Sequence, residues 1–246
     1  MRLLGRLTPL DELNASRRKE MFALYARHYD GVTFGQFEED LAAKQWVIEV
    51  IDPADGSLRG FSTQCVLNVS VAGRVVRALF SGDTIVDREF WGDPALSHVW
   101  GHLALSLIDK YHDEPLYWYL ISKGYRTYRF LPVFFHEFYP RHDVPTPPAE
   151  AAVLHALGRS KFGDTYDDSK GIIRPRNPCQ LRDGLGEITA ARMRDPHVRF
   201  FLDSNPAHAL GDELCCLAPL SRENFTAAAW RVIGVSPATA HKELAR

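Results

Sequence analysis

Between residues 46 and 86, apolar runs alternate with short clusters of turn residues. Residues 46–51 read as a strand. Residues 52–57 read as a turn, with Asp55 and Gly56 as its strongest hairpin signal. A second strand over 61–71 passes through Ala72 and Gly73 into a third over 75–86. Three strands joined by tight turns predict an antiparallel meander. Upstream, Met21, Leu24, Tyr25 and His28 fall at helical spacing behind Ser16, a plausible N-cap. Phe34, Phe37 and Leu41 predict a second, short helix. Downstream, Pro94 and Ser97 open a helix with Trp100, Leu103, Ala104, Leu107 and Ile108 on one buried face. Residues 116–121 are apolar on both faces, as in a central strand covered on both sides. A strand, a helix and a central strand in that order predict a βαβ-like crossover.

Residues 144–148 are proline-rich and read as a linker, dividing a core over 1–143 from an extension over 144–246. Beyond it the pattern predicts a helix over 149–158 and a long polar loop over 162–178, placed to cover an acceptor site. Two strands follow over 197–202 and 213–217, then a helix over 222–233 and a frayed tail. Two short strands bury little alone, so they are expected to complete the first sheet as one compact domain.

The chain has 246 residues, 46% hydrophobic and 24% charged, with a net charge of -2. That balance gives no electrostatic footprint for nucleic acid. No apolar run reaches the length of a membrane span, and residues 1–10 lack the apolar core of a signal peptide. Cys65, Cys179, Cys215 and Cys216 form no CxxC pair, which suits a reducing cytoplasm better than a disulfide framework or a zinc site. Nucleophile-elbow, P-loop and dinucleotide fingerprints are absent from the sequence, which argues against hydrolases, NTPases and dehydrogenases.

Polar chemistry interrupts the pattern at Ser81, Gly82 and Asp83, inside an otherwise apolar strand. Gly82 there predicts a bulge or a close backbone approach. Asp83 is the first carboxylate to consider as a base, against the plain reading of an acid facing water. His98 and His102 lie at i, i+4 and could share a metal, but the glutamate of the zincin motif is missing and no third ligand is spaced nearby.

The order of elements over residues 1–141 resembles the GCN5-related N-acetyltransferase (GNAT) fold. That is an α/β class with a mixed, mostly antiparallel central sheet flanked by helices. The resemblance rests on residues 84–92, where that family has a strand end, a turn and a glycine-rich loop, and on residues 116–122, at its fifth strand. It implies an N-acyltransferase. The acyl group, a fatty acyl group in one branch, would pass from an acyl-CoA or acyl-carrier-protein thioester to an amine of a small molecule or peptide side chain. No metal is implied. The family's pyrophosphate loop is missing: residues 92–97 replace it, and Asp93 would repel a pyrophosphate. Some members of the fold take acyl groups from acyl carrier protein, whose phosphopantetheine lacks that pyrophosphate, and this donor fits better.

Within the resemblance, Asp83 is the base or the anchor of a cationic amine, and Tyr125 or Tyr128 is the acid for the departing thiolate. Donor contacts fall to Thr84, Ile85, Val86, Trp91, Ser122 and Lys123, with the amides of Ile85 and Val86 meeting pantetheine or the oxyanion. Lys123, Arg126 and Arg129 would meet a phosphate or an acidic carrier protein. Phe80, Trp91, Trp118, Phe130, Phe134 and Phe135 would line an acyl tunnel. With no Cys/His or Ser/His nucleophile pair visible, the implied mechanism is direct attack. The rival reading is a catalytically inactive GNAT-like sensor or scaffold that binds an acyl ligand.

Overall fold

The computed structural model describes residues 2–182 and 188–234; the tail expected at the C-terminus falls beyond them. In chain order the strands are β1 (Leu4–Pro9), β2 (Tyr29–Asp30), β3 (Trp46–Ile51), β4 (Leu58–Val71), β5 (Arg74–Val86), β6 (Leu116–Ser122), β7 (Tyr166–Asp167), β8 (Ile172–Ile173), β9 (Gln180–Leu181) and β10 (Glu213–Pro219). The α-helices are α1 (Ala15–His28), α2 (Phe34–Ala42), α3 (Ala95–Lys110), α4 (Tyr125–Tyr128), α5 (Phe130–Phe134), α6 (Pro148–Phe162), α7 (Pro196–Ser204) and α8 (Ala227–Ile233).

Eight strands form one sheet in the order β1-β3-β4-β5-β6-β10-β8-β7. The meander β3-β4-β5 is antiparallel. β5 and β6 run parallel, joined through α3. Every other ladder in the sheet is antiparallel. One face, called here the α3 face, buries Leu79, Trp118, Leu120, Leu214 and Cys216 beneath α3, α5, α7 and α8. The opposite face carries two cores. Phe80, Tyr119 and Leu217 pack against Val153, Leu154 and Leu157 of α6. Val47, Phe61 and Ile85 pack against Met21 and Leu24 of α1 and Phe37 and Leu41 of α2. The result is a mixed, mostly antiparallel sheet flanked by helices.

Three local readings change. The cap of α1 is Asn14, not Ser16: its side chain accepts from the Arg17 amide, so the helix starts two residues earlier. Residues 197–202 are not a strand but the body of α7. Asp195 caps that helix through the His197 amide, Pro196 takes its first turn, and Val198 and Phe201 bury one face three residues apart. β1 was not expected. It pairs with β3, and Gly5 lets the α3 N-terminus lie against it, since a Cβ there would stand 2.6 Å from the Ala95 carbonyl.

Asn224 ties the C-terminal elements to the segment after α5. Its Nδ2 donates to the carbonyls of Glu137 (2.9 Å) and Pro219 (2.7 Å), and its Oδ1 accepts from the Glu137 amide (2.7 Å). Asn224→Ala strands these buried backbone groups and is expected to cost about 2 kcal/mol, read as a lowered denaturant midpoint.

Candidate active site

The site starts from a fault in the β4–β5 ladder. Ser62 pairs with Thr84 and Gln64 with Ser81, so Gly82 and Asp83 both stand opposite Thr63. This is a β-bulge, and it reverses side-chain parity along β5. Phe80 and Ile85, an odd number of residues apart, consequently face the same side. The β5–β6 pairing stops at the same place, at Ser81 and Leu120. Beyond it β5 runs on to Val86 and β6 to Ser122 without pairing with each other, which opens a V between the two parallel strands. Backbone groups of β5 past Ser81 that turn toward β6 have no ladder partner there.

On the α3 face, the V opens into an apolar cleft with about 580 Å³ of empty space, part of it open to solvent. Trp100, Trp118, Phe130 and Phe134 wall it, and Ser81 and Thr84 sit at its floor. Trp100 and Trp118 pack with ring centroids 4.7 Å apart. A buried hydrogen-bond chain crosses the floor in one direction. Trp118 Nε1 donates to Ser81 Oγ (2.9 Å), Ser81 to Gln64 Oε1 (2.7 Å), and Gln64 Nε2 to Ser62 Oγ (2.7 Å). Ser62 and Thr84 hydroxyls are 2.6 Å apart, and Thr84 donates to the Gly82 carbonyl at 3.2 Å. Each link is satisfied, so the chain holds the bulge in one geometry.

On the opposite face, at the same end of the sheet, polar groups gather from separate elements. Asp83 is half-buried and has no hydrogen-bond or ion-pair partner among the described residues. Burial pushes its carboxyl above the usual carboxylate range, against the pull of Lys44 and with a further push from Asp40. Lys123 follows β6 with the parity of Tyr119, and Glu213 opens β10 with that of Cys215, which puts both on this face. Lys123 Nζ stands 3.5 Å from Glu213 Oε1, 2.9 Å from Cys179 Sγ and 5.2 Å from the Tyr29 ring centroid. Burial raises Glu213's carboxyl, and Lys123 opposes it. The Tyr25 hydroxyl lies 3.4 Å from Cys179 Sγ. Burial raises the Tyr25 and Tyr29 hydroxyls, with Asp83 adding to both. The segment expected as a long loop over 162–178 carries β7 and β8, and its far end is tied to α1: β9 pairs with β2, which brings Cys179 over the cluster.

The expected site residues divide. Asp83 is at the bulge, Thr84 in the cleft floor and Lys123 beside Asp83's cluster. Ile85 packs its side chain into the α1/α2 core. The Val86 carbonyl accepts from Trp91 Nε1 at 2.9 Å, and the exposed Trp91 ring is stacked by Arg126 at 4.5 Å and approached by Arg88 at 5.9 Å. Ser122 is buried with its hydroxyl on the Gly124 carbonyl. Tyr125 begins α4 three residues past the end of β6, is buried and is not among the residues that line the cleft, and its hydroxyl has no hydrogen bond among the described residues. Tyr128 is placed elsewhere: it is fully buried against Phe138 and Phe201, and its hydroxyl donates to the Pro140 carbonyl at 2.8 Å. Of the acyl-tunnel candidates, Phe80 lies on the opposite face, against Phe162.

His98 packs on His102 with centroids 4.6 Å apart, and its Nδ1 faces the Val232 carbonyl at 3.2 Å. Among the described residues no group of three His, Cys, Asp or Glu side chains is arranged to hold a metal. Asp93 occupies the N-terminus of α3 with its own carboxylate, accepting from Ala95 (2.8 Å) and Leu3 (3.2 Å) amides.

A bulged strand, a parallel neighbour that splays from it, and a crossover helix between them, in a mixed, mostly antiparallel sheet, are the architecture that the resemblance to the GNAT fold implies. No family model matches the chain, and no curated protein matches it in sequence. Among solved structures, the chain is similar to a probable N-acyltransferase of Enterococcus faecalis V583 (18% identity, TM-score 0.42), over 55% of this chain and 33% of that one. It is also similar to a GNAT family N-acetyltransferase of Escherichia coli in complex with CoA (15% identity, TM-score 0.37), over 50% and 64% of the two chains. A third is the Saccharomyces cerevisiae N-myristoyltransferase with bound myristoyl-CoA (13% identity, TM-score 0.39), over 48% and 31%. The chain therefore spans a third of the first of these proteins and less than two thirds of the other two.

Thr63, Gln64, Lys44, Tyr25, Tyr29, Cys179 and Glu213 were not singled out from sequence. One signal was present. Ser62, Thr63 and Gln64 are consecutive polar residues in mid-strand, opposite Ser81, Gly82, Asp83 and Thr84, and all three are buried. Consecutive buried polar residues in a central strand call for a network or a ligand.

Proposed function

We propose that the protein is an N-acyltransferase that binds an acyl thioester in the cleft on the α3 face and delivers its acyl group through the V to an amine held at Asp83. The observation that carries this reading is the pairing of the two sides of one bulge: an aromatic cleft on one face and, on the other, a carboxylate with no partner among the described residues. The acyl carbonyl would sit between them, near the free backbone groups of β5, which can donate to its developing oxyanion.

The reaction balances without an acyl-enzyme. The neutral amine attacks the thioester carbon, and the new C–N bond forms as Asp83 takes a proton from nitrogen. The C–S bond then breaks with its electron pair on sulfur. The thiolate takes a proton from Tyr125, which recovers one from solvent. Tyr125→Phe is expected to lower kcat about tenfold with KM for the donor little changed, the small end for a proton-transfer group because a thiolate leaves readily.

A long acyl chain suits the cleft, whose walls are large apolar rings. A carrier-protein donor suits its mouth. Asp93 fills the helix terminus that would otherwise attract a pyrophosphate, and Arg88 and Arg126 frame an exposed Trp91 that an acidic partner could cover. The test is incubation with acetyl-, octanoyl- and hexadecanoyl-CoA, and with the same acyl groups on acyl carrier protein, plus a panel of amines. Mass spectrometry should find acyl amide, most from a long-chain carrier-protein donor. Retained thioester with no amide from any donor would overturn the reading in favour of a ligand-binding module.

A further inference from the structure

Lys123 makes its shortest polar contact with a sulfur. Its Nζ donates to Cys179 Sγ at 2.9 Å, while the Glu213 carboxylate stands farther off at 3.5 Å. A thiol sulfur is a weak acceptor, so an ammonium with a carboxylate in reach gains little from it as a hydrogen bond. The Lys123 side chain is only 11% exposed, so this is not a chance meeting of two surface chains. The Tyr25 hydroxyl, 3.4 Å from the sulfur, borders it from α1.

The backbone that carries Cys179 is fixed independently of that contact. On one side Pro178 lies on the turn at Gly211. That glycine has a φ of +104°, and a Cβ there would stand 2.6 Å from Pro178 Cβ and 3.4 Å from the Cys179 carbonyl oxygen. On the other side β9 pairs with β2, the Arg182 amide donates to the His28 carbonyl at 3.0 Å, and the Arg182 side chain pairs with Asp30 at 3.0 Å. Lys123 directly follows β6, a central strand of the sheet. Two reactive groups are thus brought together from separate, anchored elements. Cys179 is also the cysteine that a small oxidant can reach: it is half-buried, whereas Cys65, Cys215 and Cys216 are 3%, 0% and 0% exposed.

We infer that Cys179 and Lys123 form a redox-controlled cross-link, in which peroxide joins Sγ to Nζ. The thiol sulfur attacks one oxygen of hydrogen peroxide. An S–O bond forms, the O–O bond breaks, and the leaving hydroxide takes the thiol proton as water, which leaves a sulfenic acid. Lys123, having given its extra proton to solvent, attacks that sulfur. An S–N bond forms, the S–O bond breaks, and hydroxide leaves as a second water with a proton from nitrogen. Sulfur loses two electrons and the peroxide gains them. The link fastens the segment through β9 to the end of β6 and removes the charge of Lys123, which acts on Asp83. On the acyltransferase reading above, on which this consequence rests, oxidation shuts off transfer at Asp83 and thiols restore it.

The test is hydrogen peroxide treatment of the full chain, alkylation of the remaining thiols, digestion without reductant and mass spectrometry. The peptides carrying Lys123 and Cys179 should be joined, two hydrogens lighter than their sum, and should separate again after excess dithiothreitol. Lys123→Arg keeps a positive charge beside Glu213 but offers a poor nucleophile. It should give no link, and its Cys179 should instead be trapped by dimedone as free sulfenic acid, with thermal melting checking that the variant folds. Cys179 found only oxygenated or only in disulfides in the parent chain would overturn the inference, and so would a link that survives Lys123→Arg. These readouts need no transfer activity, so they stand or fall apart from the acyltransferase reading. Where transfer is measured, it should fall in proportion to the linked fraction and return with thiol. A fully linked protein that transfers as fast as before would overturn the control by oxidation.

Discussion

Asp83→Asn should lower acyl transfer by about 10²- to 10⁴-fold while leaving thioester binding in place. The cleft that would hold the donor lies on the other face of the sheet, and asparagine keeps the shape of the bulge. What it removes is the only role here that needs a negative charge. The pH dependence carries the sharper signature. Burial raises the Asp83 carboxyl above its ordinary value, and Lys44 and Lys123 offset only part of that. The acid limb of kcat/KM should therefore lie above the ordinary carboxylate range and disappear in the variant. Stability should move the opposite way. A carboxyl whose folded pKa exceeds its unfolded one contributes stability that is fully present below the unfolded value and is lost as pH rises through the folded value. At neutral pH the parent protein bears that loss and the asparagine variant does not. Asp83→Asn should melt at a higher temperature than the parent while being inactive. A variant that melts lower, or that keeps the acid limb, would place the carboxylate in a structural role.

The same residues show why the sheet was legible from sequence and the site only in part. Turn residues at 55–56 and 72–73 and the spacing from Trp100 to Ile108 are local signals, and each element formed where its own pattern put it. Gly82 in an apolar strand marked the bulge for a local reason too. Residues 197–202 misled because four apolar residues in six fit either period; Asp195 and Pro196, just before them, are the helix-start signal that decides. The surroundings of Asp83 are a different kind of problem. Lys44 comes from the turn after α2, Thr63 from β4, Lys123 from just past the end of β6 and Glu213 from β10, and only the register that aligns those strands brings them together. Tyr125 and Tyr128 show the limit of a single period. They lie one helical turn apart, yet the Tyr128 hydroxyl donates to the Pro140 carbonyl and Tyr125's has no partner among the described residues.

Trp118→Ala should cost about 3–5 kcal/mol of stability, the range for deleting a large buried ring. Trp118 is 5% exposed, with Trp100 and Phe135 at centroid distances of 4.7 and 5.4 Å. Its deletion leaves a hole in the aromatic wall that these neighbours cannot close without moving α3. Trp118→Phe separates the two things the indole does. The phenyl keeps most of the packing, so stability should fall by only about 1–2 kcal/mol, for the lost Nε1–Ser81 bond and the smaller ring. That bond, however, is the first link of the chain through Ser81, Gln64, Ser62 and Thr84 to the Gly82 carbonyl. Without it the Ser81 hydroxyl loses its side-chain partner from β6, and the hydrogen-bond chain is anchored from β4 alone, with only the backbone ladder to Leu120 left on the other side. The expected result is a phenylalanine variant that folds and binds thioester but transfers the acyl group more slowly, with kcat falling more than donor KM rises. Equal activity in Trp118→Phe and the parent would mean that the bulge keeps its geometry without the chain, and that the indole serves the cleft only as a wall.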